Sequence, residues 1–158
     1  MSILVTGSSR GIGLHLIKTF LQSPTAHVIA TCRDPKDANE LSQLQTQHPD
    51  KLTVEQLTVT DVQSIQELVN RLKEKKTTLS VLVNNAGIYS GMQKETLLNS
   101  TKESMLTVYE TNCVAPMLLI QHLYNGKLME KNALVVNISS FMGSIGKFCS
   151  NDELLTID

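Results

Sequence analysis

Ile3-Leu4-Val5-Thr6-Gly7-Ser8-Ser9-Arg10-Gly11-Ile12-Gly13 is an apolar run that breaks directly into a glycine-rich turn and then continues as an amphipathic pattern. That order points to a nucleotide site. A buried strand delivers the backbone to a tight turn, and glycines let the main chain approach a pyrophosphate with no Cβ in the way. The N–H groups and positive dipole end of the next helix then face the phosphates. Alone the signal is ambiguous, because any turn before a helix also favours glycine. Only Met1 and Ser2 precede the strand, which leaves no space for a signal or transit peptide and sets the expectation of a cytoplasmic protein.

The chain has 158 residues, a length suited to one domain with a real core yet short for a complete dinucleotide enzyme. A net charge of −1, with 18% charged and 41% hydrophobic residues, indicates neither a nucleic-acid surface nor a disordered tail. The longest apolar stretch, Cys113 to Ile120, covers about eight residues against the roughly 20 that cross a bilayer, so no membrane partner is expected. Cys32, Cys113 and Cys149 are odd in number and form no Cys-x-x-Cys pair, which fits reduced thiols. His15, His27, His48 and His122 show no paired ligand spacing, and no metal site is expected.

Short apolar runs alternate with longer helical patterns. Strands are expected at Ile3 to Thr6, His27 to Thr31, Leu52 to Leu57, Ser80 to Asn84 and Ala133 to Ile138, rich in Val, Ile and Leu as doubly covered parallel strands are. Helices are expected near Ile12 to Gln22, Pro35 to Gln47, Val62 to Lys75 and Thr101 to Leu123. Val62, Ile65, Leu68, Val69 and Leu72 form the core-facing stripe of the third. The cluster Arg71-Leu72-Lys73-Glu74-Lys75-Lys76 reads as cations favoured in a last helical turn, not as a partner site. Such a chain folds as an α/β, doubly wound parallel sheet, with its ligand at the carboxyl ends of the strands where strand order reverses.

Further motifs sharpen this. Thr6-Gly-Ser-Ser-Arg-Gly-Ile-Gly13 resembles the Thr-Gly-x-x-x-Gly-x-Gly turn of the short-chain dehydrogenase/reductase family, and Asn84-Asn85-Ala86-Gly87 resembles its Asn-Asn-Ala-Gly motif. The likeness extends to Asp61-Val62, to Asn112 and to Asn137-Ile138-Ser139-Ser140, and so runs from Ile3 to about Gly146. Ser140-Phe-Met-Gly-Ser-Ile145 resembles the carbonyl-reductase branch that includes C-factor-type and sniffer-type proteins.

The resemblance implies a Rossmann-like dinucleotide-binding domain over 1–146, followed by a divergent tail over 147–158. It places the cofactor on Thr6, Gly7, Ser9, Arg10, Gly11, Ile12 and Gly13. It also implies that Asp61 bonds the adenine amino group while the Val62 backbone meets the ring; an N-cap for the following helix is compatible with this. Asn84, Ala86 and Gly87 would line the cofactor near its riboses, against the alternative of a bare strand-to-loop turn. Asn112 would be the active-site asparagine, holding a water in a proton relay. Ser140 would donate to the substrate carbonyl, unless its hydroxyl only caps the strand end. The implied substrate is a small carbonyl or alcohol, and a homo-oligomer is a possible state of the complete protein.

Charge argues the cofactor type. Asp34 lies at the distance from the turn where an acidic residue takes the 2′-hydroxyl of NAD, but it stands before Pro35 and reads better as an N-cap, with Asp37 in the first turn. That leaves Arg33, which with Arg10 suits the extra 2′-phosphate of NADP. NADP is expected over NAD.

One part of the pattern is missing. The resemblance implies a tyrosine with lysine four residues on, roughly 12 to 16 residues beyond Ser140, to protonate the alkoxide that hydride transfer leaves. Tyr89, Tyr109 and Tyr124 all precede Ser140 and none has lysine at that spacing. Residues from Lys147 to Asp158 do not resemble the family. Three explanations stay open: a fragment of a longer reductase, a truncated or spliced product with a divergent tail, or a working protein of another mechanism. In each the sheet is incomplete on its C-terminal side, the fifth strand is an edge and one face lacks a cover.

Overall fold

The computed structural model describes residues 1–89 and 98–143. The expected boundary at residue 146 and the tail 147–158, Cys149 included, lie outside the described residues. In chain order the elements are β1 (Ser2–Val5), α1 (Gly11–Phe20), β2 (His27–Cys32), α2 (Asn39–Gln47), β3 (Leu52–Gln56), α3 (Val62–Glu74) and β4 (Leu79–Asn84). Then follow α4 (Lys102–Tyr109), a π-helical turn at Glu110–Val114, α5 (Ala115–Asn125) and β5 (Met129–Asn137). All strand pairs are parallel, in the order β3-β2-β1-β4-β5. Strand order reverses at β1, which lies between β2 and β4, so a crevice opens beyond its carboxyl end. The fold is the Rossmann-like α/β sheet, doubly wound as the pattern of runs predicts, and among the described residues β5 lies at its edge.

Period-two alternation builds a core on each face. Ile3, Val5, Val28, Ala30, Leu52 and Val83 pack with Leu14, Ile17 and Leu41 from α1 and α2. Leu4, Ile29 and Leu82 point the other way, onto Ile65, Leu68, Val69 and Leu72 of α3 and Leu119 and Leu123 of α5. Each such side chain, once fully buried, contributes about 1.5–3 kcal/mol against the disorder lost on folding. Sheet and helices thereby hold the carboxyl-end loops in fixed relation.

Several expectations need correction. Val62 is half exposed and not part of the α3 stripe, because it is the first residue of the helix, beyond the end of the sheet. The second helix starts at Asn39 rather than Pro35, with Ala38 at its N-cap and no side-chain cap. Asp34 is therefore no helix cap. Its carboxylate accepts from Lys36 N–H at 2.9 Å, and this local Asx turn holds Pro35 and Lys36 outside the helix. The single long helix expected from Thr101 is two α-helices joined by the π-helical turn. β5 begins earlier than expected, at Met129.

The cation cluster also does more than oppose a dipole. Glu55 on β3 is buried, and its carboxylate accepts from Arg71 Nε at 2.7 Å and from Lys75 Nζ at 2.6 Å. Burying an acid costs several kcal/mol unless it is paired, so the basic end of α3 and the acid on β3 are one unit.

His27 makes the fold sensitive to acid. Its Nε2 lies 3.2 Å from Thr53 Oγ1, and burial first, then the charges of Lys75 and the N-terminus, hold its pKa below the ordinary 6.5. As pH falls below about 6.5 the unfolded chain takes up a proton that the folded chain refuses, so folding stability drops. Between pH 7.5 and 5.5, His27→Gln is expected to lose less stability than the parent chain in urea unfolding. Equal losses would show that His27 does not carry this dependence.

Candidate functional site

The turn after β1 is shaped by residues on three strands. Ser8 is fully buried; its N–H donates to Thr31 O at 2.9 Å and its hydroxyl to Val5 O at 2.8 Å. Thr6 N–H donates to Val83 O at 3.0 Å. The Thr6 hydroxyl accepts from the N–H groups of Asn85 (3.0 Å) and Ala86 (2.9 Å). Asn85 Nδ2 returns the contact, donating to Thr6 O at 2.8 Å and Gly7 O at 3.1 Å. The loops after β1 and β4 are thus clasped together by Thr6 and Asn85. Sequence reading placed Thr6 and Asn84 to Gly87 in one site but missed Ser8 and gave Asn85 no role. No spacing pattern betrays an amide that acts on backbone groups about 80 residues away, as Asn85 does, or a turn serine whose hydroxyl folds back on Val5 O.

Two glycines are required by this clasp. Gly7 has φ +66°, and a Cβ there would sit 2.8 Å from Ala86 Cα. A Cβ on Gly13 would collide with Gly7 O and lie 2.5 Å from Asn85 Nδ2. Gly11 differs: φ is +58° and a Cβ would meet nothing within 4 Å, so its surface faces open space.

Beneath that space lies the N-terminus of α1. Arg10 is its N-cap, extended and without a side-chain hydrogen bond, and the first turn holds no acidic residue. α3 and α4 are capped instead, by the Asp61 carboxylate on Gln63 N–H and the Thr101 hydroxyl on Ser104 N–H. The first N–H groups of any helix need partners from outside it; α2 also lacks a side-chain cap but carries Glu40 in its first turn, whereas the acid-free start of α1 is open to an incoming anion.

Around the turn stand the other expected residues. Ser9, Arg10 and Ile12 are exposed at its surface, and Arg33 is exposed just past β2. Among the described residues neither Arg10 nor Arg33 forms an ion pair. Asp61 and Val62 stand exposed at the start of α3. Cys32 is buried beside Arg33; burial, then the charge of Asp34, push its thiol up, which leaves it a protonated packing group.

On the other side of β1, Asn84 is buried and donates from Nδ2 to Asn137 Oδ1 at 2.9 Å, while its Oδ1 has no partner among the described residues. It lines a cavity of about 10 Å³ with Thr6, Ala86, Thr111 and Pro116. Asn112 sits in the middle of the π-helical turn, and both ends of its amide are engaged. Oδ1 accepts from Ile88 N–H at 2.9 Å and Nδ2 donates to Ile88 O at 2.7 Å. A Cβ on Gly87 would lie 3.3 Å from that Oδ1. The Asn112 side chain therefore fixes the Ile88 main chain, and Pro116, with no N–H, cannot return a bond to a carbonyl of the π-helical turn. Ser140 is exposed beyond β5, and its carbonyl accepts from Gly143 N–H at 3.0 Å. The structure thus gathers the residues expected for the site at the carboxyl ends of the sheet.

The described residues include no group of three or more His, Cys, Asp or Glu able to hold a metal, and no helix among them is long and apolar enough to cross a membrane.

Known proteins share this arrangement. The NADPH-bound carbonyl reductase from chicken fatty liver is 39% identical, with a TM-score of 0.83 over 93% of this chain and 62% of its own. The carbonyl reductase Sniffer of Drosophila melanogaster is 29% identical, with a TM-score of 0.80 over 92% of this chain and 63% of its own. A 3-oxoacyl-acyl-carrier-protein reductase of Haemophilus influenzae is 32% identical over 143 residues, or 90% of this chain and 56% of the relative. The chain spans a little over half the length of these curated relatives. Likeness to carbonyl reductases agrees with the branch suggested by Ser140 to Ile145. Residues 1–151 match the short chain dehydrogenase family, and with the shared fold this match makes the chain a member of that family.

Proposed function

We propose that residues 1–146 form the cofactor-holding unit of an NADP-dependent short-chain oxidoreductase that interconverts small carbonyls and alcohols. The observation that carries this is the uncapped N-terminus of α1 beneath the bare surface of Gly11. Open space, helix N–H donors and two guanidiniums without an ion pair among the described residues fit a phosphorylated dinucleotide. NADP-bound and NADPH-bound relatives support the same reading.

When bound, the nicotinamide supplies or accepts a hydride. The chain's own residues do the rest. The turn from Thr6 to Gly13 receives the pyrophosphate, and Arg10 and Arg33 attract the 2′-phosphate. Asp61 accepts from the adenine amino group through the carboxylate oxygen that does not cap α3. Asn84, Ala86 and Gly87 border the riboses. Ser140 donates to the substrate oxygen and sets its direction. Because the Asn112 amide is engaged with Ile88, its part in a proton relay falls to its main-chain carbonyl, in a turn that Pro116 leaves short of a donor.

A second reading rests on one sequence fact: no tyrosine of the chain has lysine four residues on. By that reading the chain is a nucleotide-binding or interaction module without turnover. The test is NADPH oxidation by the full chain with generic carbonyls, beside NADPH binding followed by fluorescence. Turnover that Ser140→Ala abolishes would exclude the module, and binding without turnover would exclude an active enzyme. Absence of binding would overturn both.

A further inference from the structure

Arg33 is held from behind. Gln56, the last residue of β3, pairs in register with Cys32, and its side-chain Nε2 donates to Arg33 O at 3.1 Å. The next residue ties the same loop, with Leu57 N–H donating to Cys32 O at 2.8 Å. On the far side, Asp34 accepts from Lys36 N–H at 2.9 Å, and the ring of Pro35 restricts φ between them. The peptide that carries Arg33 is therefore fixed on both flanks.

Gln56 is itself anchored. Arg71 Nη2 donates to Gln56 O at 2.7 Å while Arg71 Nε binds the buried Glu55 carboxylate, which Lys75 also holds. A polar brace thus runs from the end of α3 through β3 to the loop beyond β2. One end is buried in the fold and the other is an exposed guanidinium without an ion pair among the described residues.

We propose that Gln56 is a positioning residue for cofactor choice: it fixes the Arg33 main chain so that the guanidinium is directed at the 2′-phosphate of NADP(H). This rests on the NADP reading above. The physical basis is preorganisation, since a long charged side chain on a fixed backbone loses less freedom on binding than one on a loose loop. Gln56 donates no bond to the cofactor, so its removal acts only through Arg33. The parts of the cofactor common to NADH and NADPH are unaffected.

The experiment measures dissociation constants of NADPH and NADH for the full chain and for Gln56→Met, Arg33→Ala and the double variant. Methionine keeps the length of glutamine and removes the donor. A single hydrogen bond of this kind sets the scale, about 3- to 10-fold. Gln56→Met is expected to weaken NADPH by that factor, to leave NADH within about twofold, and to add nothing further once Arg33 is alanine. Equal loss of both cofactors, no loss of NADPH, or full additivity with Arg33→Ala would overturn the proposal. Arg33→Ala alone separates the two levels: if it weakens both cofactors equally, the NADP reading fails and this inference fails with it. Should Gln56→Met not fold, Gln56→Ala takes its place, since it removes the donor without placing a charge beside Arg33.

Discussion

Gly13→Ala is expected to cost about 1–3 kcal/mol of folding stability and more than tenfold in NADPH affinity. The added Cβ would collide with Gly7 O and come within 2.5 Å of Asn85 Nδ2. Neither neighbour can retreat cheaply. Gly7 O is part of a turn at positive φ, and Asn85 Nδ2 already donates to Thr6 O and Gly7 O. Relief has to come from separating α1 from the β4 loop, which undoes the clasp and moves the helix N-terminus away from the turn. Gly11→Ala provides the contrast. Its Cβ would meet nothing within 4 Å, so its structural cost is the left-handed conformation alone, about 1–2 kcal/mol, and the methyl projects into the space left for phosphates. Urea unfolding and fluorescence titration of both variants check this. A Gly13→Ala chain with parental stability would show that the clasp is looser than the structure has it.

The parts of this protein legible in its sequence are those that rest on local chemistry. Alternation of short Val, Ile and Leu runs with helical stripes gave the five parallel strands, because a doubly covered strand leaves no polar face to disguise it. The turn from Thr6 to Gly13 and the Asn84 to Gly87 loop were legible because backbone approach to a phosphate restricts residue type at fixed spacing. What escaped was decided by a choice between local hydrogen bonds at Asp34 and by tertiary partners elsewhere. Asp34 before Pro35 has the composition of a helix start, yet the same carboxylate closes an Asx turn, and the helix waits until Asn39. The run from Thr101 shows no break in helical character, but Asn112 grips Ile88 and Pro116 withholds a donor, and the helix widens there into a π-helical turn. The cluster from Arg71 to Lys76 shows no acidic partner in the sequence pattern, yet Arg71 and Lys75 close over the buried Glu55. The Asx turn is local, but the other two outcomes depend on a residue far away in the chain, and a single sequence carries no record of which distant group arrives.

Arg33→Ala is expected to weaken NADPH by about 10- to 100-fold while NADH changes by less than about twofold. The two cofactors differ by one phosphate, so the selective loss isolates the interaction with that group. Charge-assisted hydrogen bonds to a phosphate contribute about 1.5–3 kcal/mol, which corresponds to that range. Arg33 is free to make them, because among the described residues its guanidinium has no ion pair and its main chain is fixed by Gln56. Asp34, the acid that would favour NAD, already accepts from Lys36 N–H. Arg33→Lys is expected to recover only part of the loss, since an ammonium keeps the charge but not the planar fork. The gap between NADPH and NADH is also expected to narrow as salt rises, because the group is exposed and the Debye length shrinks to about 3 Å at 1 M. Equal weakening of both cofactors would move the 2′-phosphate off Arg33. A salt-independent gap would mean that shape, and not charge, separates the two.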